Sequence, residues 1–222
     1  MIKAYFGLTR NPFHSETIVL LPHQQVVFDT LRVHCQQGGL CLVMGEPGTG
    51  KTAIKETLKT FDPQRLIAPV VSRTLHTYYN TLRIFCEAFK LDTDGASFAC
   101  EKRLIETAFK LNQQGKMLSP IIDDAHLMEI DCLRRVRLLM EDFPKNHNLV
   151  LIGQPRLLAS IALASNDDIK SRVTYSVIVP KLVADDIQAF VLAEFDKAGL
   201  GRNVITEEAL AALQRWQWPG NV

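Results

Sequence analysis

A glycine-rich segment that ends in lysine and threonine is the first part of the sequence with a recognisable chemistry. Glycines let the backbone curl so that its N–H groups point inward and form a nest for an anion. In this pattern the lysine reaches the β- and γ-phosphates of a nucleotide, and the following hydroxyl ligates Mg²⁺. We therefore predict that ATP and Mg²⁺ bind here. The residues assigned to phosphate binding are Gly45, Glu46, Pro47, Gly48, Thr49, Gly50, Lys51 and Thr52.

An acidic pair, Asp123 and Asp124, ends an apolar run that begins at Pro120. A phosphate-loop site needs a carboxylate at the tip of a neighbouring strand to hold Mg²⁺ through its waters. Asp123 is assigned to that role, together with Thr52. A second carboxylate beside it would orient and polarise the attacking water, so Asp124 is assigned as catalytic. The alternative is that the pair caps a helix that begins at Ala125.

Two more polar residues lie near the ends of predicted strands. Gln154 follows the strand at 149–152, and the C-terminal ends of parallel strands face the ligand crevice. Its amide would contact the γ-phosphate and position the water, or it is only a turn residue. Arg172 precedes the last strand. It would reach the γ-phosphate of a neighbouring subunit as an arginine finger, or it is a solvated surface charge.

Strands and helices alternate along the chain in an order that would position these residues. Apolar runs predict strands at 40–44, 66–71, 117–122, 149–152 and 175–179, with prolines inside the second and third. Helices are predicted at 22–36, from Lys51, and at 75–90, 98–114, 130–143, 185–200 and 206–216. The pattern predicts an α/β fold with a parallel sheet covered by helices on both faces. After Pro180 only helices follow, which indicates the start of a small helical domain.

Composition limits the classes of protein that this chain can represent. Its 222 residues are 47% hydrophobic and 22% charged, which predicts one sizeable domain, with or without a small appendage. A net charge of +1 gives no bulk attraction to nucleic acid or membranes, but a local basic patch remains open. The five cysteines form no C-x-x-C pair, which predicts reduced, buried thiols in a cytoplasmic protein. No apolar run approaches the roughly 18 residues of a membrane span, so we expect no membrane partner.

Four segments together resemble the AAA+ ATPases, in particular the ExeA/GspA-like group and its relatives, the transposition ATPases of the TnsC, TniB and MuB type. They are the aromatic segment 5–13, the glycine-rich loop 45–52, the segment Ile-Ile-Asp-Asp-Ala-His at 121–126, and the segment 149–155. The resemblance implies a three-layer P-loop AAA+ domain at 1–180, with residues 1–38 beside the adenine, and a partial helical lid at 181–222. It also implies that Phe13 contacts the nucleotide, that Gln154 is sensor 1, and that Arg172 is the trans-acting finger.

Two departures from the pattern of that group concern activity. Asp124 stands where the group has glutamate, although initiator-type AAA+ relatives carry an Asp-Asp pair. The sequence ends at Val222, about where a sensor 2 arginine would follow, so we expect an incomplete lid. These departures leave open an ATP-gated scaffold with little hydrolysis.

The resemblance implies an ATPase that forms a ring or filament on double-stranded DNA and regulates transposition by recruiting or activating a transposase. The alternative is a secretion-associated ATPase of the ExeA/GspA kind, which would need a membrane span and a cell-wall-binding domain after the ATPase. For DNA contact the sequence offers Arg134, Arg135 and Arg137, on the helix after the acidic pair. The other interpretation of these arginines is a solvated helix face paired with nearby acidic residues.

Overall fold

A computed structural model describes residues 18–72, 77–200 and 204–216, together with Tyr5 and Gly7. Phe13 and most of the aromatic N-terminal segment lie outside the described residues. The predicted contact between Phe13 and the nucleotide therefore stays a prediction, as do the domain boundaries.

A parallel sheet of five strands forms the centre of the structure. The strands of the chain are β1 (Gly39–Met44), β2 (Leu66–Ile67), β3 (Val70–Val71), β4 (Met117–Leu118), β5 (Ile121–Ile122), β6 (Asn148–Gly153) and β7 (Val173–Ile178). The order across the main sheet is β3-β5-β6-β1-β7, and every neighbouring pair is parallel. The C-terminal ends of β5, β6 and β1 therefore share one edge, with β6 between the other two.

Helices cover both faces of this sheet. They are α1 (Pro22–Gln37), α2 (Lys51–Thr60), α3 (Tyr78–Ala88), α4 (Ser97–Gln113), α5 (Ile130–Glu141), α6 (Arg156–Ile161), α7 (Asp167–Lys170), α8 (Ala184–Ala198) and α9 (Glu207–Arg215), with 3₁₀ turns at Ala125–Leu127 and Ala164–Asn166. Leu40, Leu42 and Met44 of β1 pack in the core with α3, α4 and α5. Cys41 and Val43 point to the other face and pack with α1 and α2. The predicted three-layer α/β fold is confirmed.

Prolines divide two of the predicted strands. Pro69 separates β2 from β3, and Pro120 separates β4 from β5, because proline has no N–H to donate to a strand ladder. As a result β2 pairs with β4 in a separate two-stranded sheet, whereas β3 pairs with β5 in the main sheet. The prediction of one strand at 66–71 and one at 117–122 was therefore wrong in extent. A backbone hydrogen bond still joins the two chain segments at the break, since the Ile121 N–H donates to the Pro69 carbonyl at 2.8 Å.

The part of the chain described after β7 contains only helices, as predicted. Thr206 caps α9, since its Oγ1 accepts from the Ala209 N–H at 3.2 Å. Gln214 Nε2 donates to the Ala184 carbonyl and to Gln188 Oε1, each at 3.2 Å, and these contacts join α9 to α8. Within the described ranges, no helix combines the length and apolar character that crossing a membrane requires.

The five cysteines are free and buried, as the sequence predicts. Burial raises the pKa of Cys41 to about 12, with Cys35 nearby adding to the effect. The Cys41 thiol therefore stays protonated at neutral pH and acts as a small apolar core side chain.

Candidate nucleotide-binding site

The loop that joins β1 to α2 depends on two glycines. Gly48 and Gly50 have φ angles of 76° and 86°, in the left-handed region that other residues disfavour. A Cβ on Gly50 would lie 2.0 Å from Nε2 of Gln24. Gln24 is buried, donates from Nε2 to the Thr49 carbonyl at 3.3 Å, and accepts from the Leu21 N–H at 3.0 Å. This residue fastens the loop to the start of α1, a contact that the sequence analysis missed.

Lys51 opens α2, and its ammonium group lies within the loop. Nζ donates to the carbonyls of Gly45 at 2.8 Å and Glu46 at 2.7 Å. Burial lowers the pKa of Lys51, while the carboxylates of Asp124, Asp123 and Glu46 oppose that shift. A lysine beside the N-terminus of a helix provides the positive charge and the donors that a phosphate needs.

The acidic pair lies directly after β5. Asp123 accepts from Lys55 Nζ at 2.6 Å through Oδ2, and from the Asp124 N–H at 3.0 Å through Oδ1. Asp124 has a left-handed φ of 51°, a conformation that aspartate tolerates better than most residues. Its side chain is 59% exposed and makes no capping hydrogen bond to the 3₁₀ turn that follows. The geometry therefore does not favour the capping alternative.

Gln154 follows β6, and it lies between the loop and the acidic pair because β6 lies between β1 and β5. The Gly45 N–H donates to the Gly153 carbonyl at 3.0 Å, which joins the loop to the end of β6. The Gln154 N–H donates to Nδ1 of His126 at 3.3 Å. The same Nδ1 lies 4.0 Å from Oδ1 of Asp124. One imidazole therefore contacts the strand end that carries Gln154 and lies close to the catalytic candidate Asp124.

His126 is the second residue of the site whose role the sequence analysis missed. Its side chain is 4% exposed. Burial lowers its pKa, as does Arg156, while Asp124 acts in the opposite direction. The ring is therefore neutral at physiological pH, which lets Nδ1 accept the hydrogen bond.

A cleft of about 260 Å³ lies beside the loop. Its apolar lining comes from Val19, Leu21, Leu182 and Phe190, and Lys51 also lines it. Apolar walls next to a phosphate nest suit a flat heterocycle with an anionic tail. The segment 1–38, which the resemblance places beside the adenine, contributes Val19, Leu21 and Gln24 to this cleft. The contribution of Leu182 and Phe190 was not identified from sequence.

The donors near the loop fit Mg²⁺. Thr52 is exposed in the first turn of α2, and Asp123 offers carboxylate oxygens, so both supply the hard oxygen ligands that this ion prefers. In the described part of the chain, no group of three or more His, Cys, Asp or Glu side chains could hold a metal unaided. The ion would therefore depend on phosphate oxygens and water for its remaining ligands.

Arg172 does not join these residues within one chain. Arg172 precedes β7, which runs parallel to β1. It therefore lies at the N-terminal ends of the strands, whereas the loop lies at their C-terminal ends, roughly 20 Å of strand away. Its side chain is 63% exposed, and its Nε lies 3.1 Å from Oε1 of Glu141. Within one chain, Arg172 therefore lies away from the phosphate loop, and its role as a trans-acting finger stays a prediction.

The three arginines offered for DNA contact already have partners. Nε of Arg134 donates to Oδ2 of Asp168 at 2.9 Å. Arg137 is buried, and its Nη1 lies 2.8 Å from Oε1 of Glu141, one helical turn away. Arg135 lies with its guanidinium carbon 3.9 Å from the ring centroid of Tyr78. The structure favours the interpretation of a helix face with paired charges over a DNA-binding face.

The sheet order and the loop define a P-loop AAA+ protein, and comparison with known proteins agrees. A model of the family described as "AAA domain" matches residues 33–161, more than half of the sequence. The chain belongs to this family.

One curated relative is the "General secretion pathway protein A" of Aeromonas hydrophila. The chain is 27% identical to it over an alignment 226 positions long, which covers 97% of the chain and 41% of that protein. The chain therefore spans about two-fifths of this relative's length. The resemblance to the ExeA/GspA-like group is confirmed, whereas the link to the transposition ATPases stays a prediction.

Solved structures with the same fold include ORC and Cdc6 proteins. The ORC2 protein of Aeropyrum pernix gives a TM-score of 0.68 at 15% identity, covering 85% of this chain and 56% of that chain. Cdc6p from Pyrobaculum aerophilum gives 0.66 at 18% identity, covering 90% and 56%. Drosophila ORC bound to DNA gives 0.59 at 17% identity, covering 95% and 55%. At these identities the likeness shows the fold alone.

Proposed function

We propose that this chain binds ATP with Mg²⁺ at the loop 45–52 and hydrolyses it. The observation that carries the proposal is the meeting of three strand ends at one edge of the sheet. The loop follows β1, and the acidic pair Asp123 and Asp124 follows β5. Gln154 follows β6, which lies between these two strands. This arrangement supports a site in which phosphate donors, metal oxygens and a water-orienting carboxylate would surround one bound nucleotide.

Each residue has a defined task in the proposed reaction. Lys51 exchanges its bonds to loop carbonyls for bonds to the β- and γ-phosphates. Thr52 and Asp123 hold the metal ion, which neutralises charge on the phosphates when bound. Asp124 orients and polarises the attacking water. The Gln154 amide contacts the γ-phosphate, and His126 keeps that segment of backbone in place.

The proposal includes a homo-oligomer, because the arginine assigned to catalysis lies at the N-terminal ends of the strands, away from the loop of its own chain. Arg172 would supply positive charge to the γ-phosphate bound by its neighbour. An interface of this kind is head-to-tail, so repeated copies form a ring or a filament. The ORC2 protein of Aeropyrum pernix was solved as ADPNP–ADP complexes, which supports nucleotide binding at this fold.

For the cellular role, the relative named as a general secretion pathway protein favours the secretion-associated alternative. The regulation of transposition, with recruitment or activation of a transposase, is the competing hypothesis. The Drosophila ORC neighbour was solved bound to DNA, which keeps double-stranded DNA as a candidate partner. The paired arginines of α5 do not support that helix as the DNA contact.

Steady-state phosphate release, with and without double-stranded DNA, tests the proposal. Asp124→Asn is the informative variant because asparagine also tolerates the left-handed backbone at this position. Turnover should fall by about 100-fold or more, while ATP affinity stays near the parent value. Tight ATP binding by the parent with no turnover under any condition contradicts hydrolysis and favours the ATP-gated scaffold. Stimulation of the parent by DNA favours the transposition hypothesis over the secretion-associated role.

A further inference from the structure

The carboxylate assigned to the metal ion already holds a cation. Nζ of Lys55 lies 2.6 Å from Oδ2 of Asp123, and the two side chains are only 11% and 23% exposed. An ion pair that is largely withdrawn from water is screened less by salt and is stronger than a surface pair. Its short length is that of a charge-assisted hydrogen bond.

Helical geometry brings Lys55 to this position. It follows Lys51 by four residues on α2, so both lysines lie on the same face of the helix, one turn apart. Lys51 contacts the loop, whereas Lys55 reaches across to the end of β5. The other oxygen of Asp123 accepts from the Asp124 N–H. A metal-bound water that uses Asp123 must therefore compete with the ammonium of Lys55 at Oδ2.

A second carboxylate stands ready to receive that ammonium. Oε1 of Glu56 lies 3.6 Å from Nζ of Lys55, while Oε2 of Glu56 accepts from Lys59 at 2.8 Å. Burial acts to lower the pKa of Lys55, but Asp123 and Glu56 outweigh this effect and raise it, so the lysine stays charged. A small movement of Nζ towards Glu56 would free Oδ2 without leaving the ammonium unpaired.

We propose that Lys55 competes with Mg²⁺ for Asp123 and thereby sets the Mg²⁺ concentration at which the nucleotide site fills. The proposal rests on the proposed function, because it concerns the metal of the same site. At low Mg²⁺, Lys55 holds the Asp123 carboxylate in position through their ion pair. At higher Mg²⁺, Lys55 moves to Glu56, and Asp123 accepts from the water shell of the metal.

The test compares Lys55→Met with Lys59→Met in the full chain. Both substitutions remove one lysine of α2 that pairs with Glu56, but only the first frees Asp123. Binding of a fluorescent ADP analogue is titrated with Mg²⁺, and binding of Mn²⁺ to the nucleotide complex is measured by electron paramagnetic resonance. The concentration of Mg²⁺ at half-saturation should fall about tenfold in Lys55→Met and stay at the parent value in Lys59→Met. Nucleotide affinity in EDTA should be the same in all three proteins.

Two further variants keep the test decisive. Lys55→Gln retains a donor to Oδ2 but removes the charge, so it must also lower the Mg²⁺ requirement, even if Lys55→Met proves unfolded in a thermal melt. Lys55→Arg retains the charge and should stay near the parent value. An unchanged or higher Mg²⁺ requirement in a folded, neutral variant overturns the inference while the proposed function stands. If the parent binds no nucleotide at any Mg²⁺ concentration, the proposed function fails first.

Discussion

Nδ1 of His126 accepts the backbone N–H of Gln154 at 3.3 Å, and this bond connects the 3₁₀ turn after β5 to the end of β6. The two strand ends carry different parts of the proposed machinery, the acidic pair and the γ-phosphate contact. Because the ring is buried and neutral, the bond fixes the separation between these parts. We therefore regard His126 as a positioning residue that acts through its neighbours.

Replacing His126 with phenylalanine should slow hydrolysis more than it weakens binding. The part-buried Gln154 N–H would lose its acceptor, which costs about 1 kcal/mol. Since that backbone positions the γ-phosphate contact, we expect kcat to fall about tenfold and ATP affinity to change less than threefold. His126→Asn, which restores an acceptor, should recover most of the loss. Phosphate release and equilibrium nucleotide binding measure the two effects separately, and an equal loss in both would show that His126 is only structural.

Acid should destabilise the fold through His147. This residue is buried beside Phe143, and burial lowers its pKa to about 4 from an unfolded value of 6.5. Because the folded value is the lower one, the stability from the neutral ring is complete above pH 6.5 and is lost as the pH falls to 4. The difference corresponds to about 3 kcal/mol. Urea unfolding across this range should show a flatter pH dependence for His147→Phe than for the parent, and identical slopes would contradict the assignment.

Gly50 should tolerate alanine much less well than Gly115 does. Both glycines have left-handed φ angles, 86° and 73°, but an added Cβ meets Gln24 at 2.0 Å in the first case and nothing within 4 Å in the second. Gly115→Ala should therefore cost only the backbone strain, about 1 kcal/mol. Gly50→Ala should cost about 3 kcal/mol and weaken nucleotide binding, because Gln24 must release the Thr49 carbonyl. Equal free energies of unfolding for the two variants would show that the Gln24 contact is unimportant.

Arg172 should act on a neighbouring subunit. The Arg172→Ala variant has an intact phosphate loop but no arginine finger, whereas Lys51→Ala has the arginine but a defective loop. Each variant alone should therefore hydrolyse ATP poorly. In an equal mixture, about a quarter of head-to-tail interfaces join an intact loop to an intact arginine, so turnover should recover to that fraction of the parent rate. Arg135→Ala, which removes an arginine stacked on Tyr78, is the control and should stay active. Failure of the mixture to exceed either variant alone would contradict action in trans.

The sequence predicts the parts of this site that have local patterns. The apolar run before the loop and the G-x-x-x-x-G-K-T spacing are each readable within a few residues, so β1 and the loop were located correctly. The contacts of Gln24 with Thr49 and of Lys55 with Asp123 join residues 25 and 68 positions apart. They depend on which distant segments become neighbours in the fold, and no local pattern encodes that arrangement.

Short elements were the other failure of the sequence analysis. The helices α6 and α7 contain 6 and 4 residues, too few for a helical period to be recognised. The prolines inside two predicted strands were visible in the sequence, but their effect depended on pairing. Pro69 lies beside Pro120 in the paired segments, so the two predicted strands are interrupted at neighbouring positions.

The central claim is that the loop 45–52 binds the phosphates of ATP, and calorimetric titration of Lys51→Ala tests it most directly. A non-hydrolysable ATP analogue with Mg²⁺ is titrated into the parent, into Lys51→Ala, and into Lys59→Ala as a control on the same helix. The parent and the control should bind one analogue per chain with equal affinity. Lys51→Ala should bind at least about tenfold more weakly, a loss of about 1.4 kcal/mol or more. Equal affinity in Lys51→Ala and the parent would contradict the account.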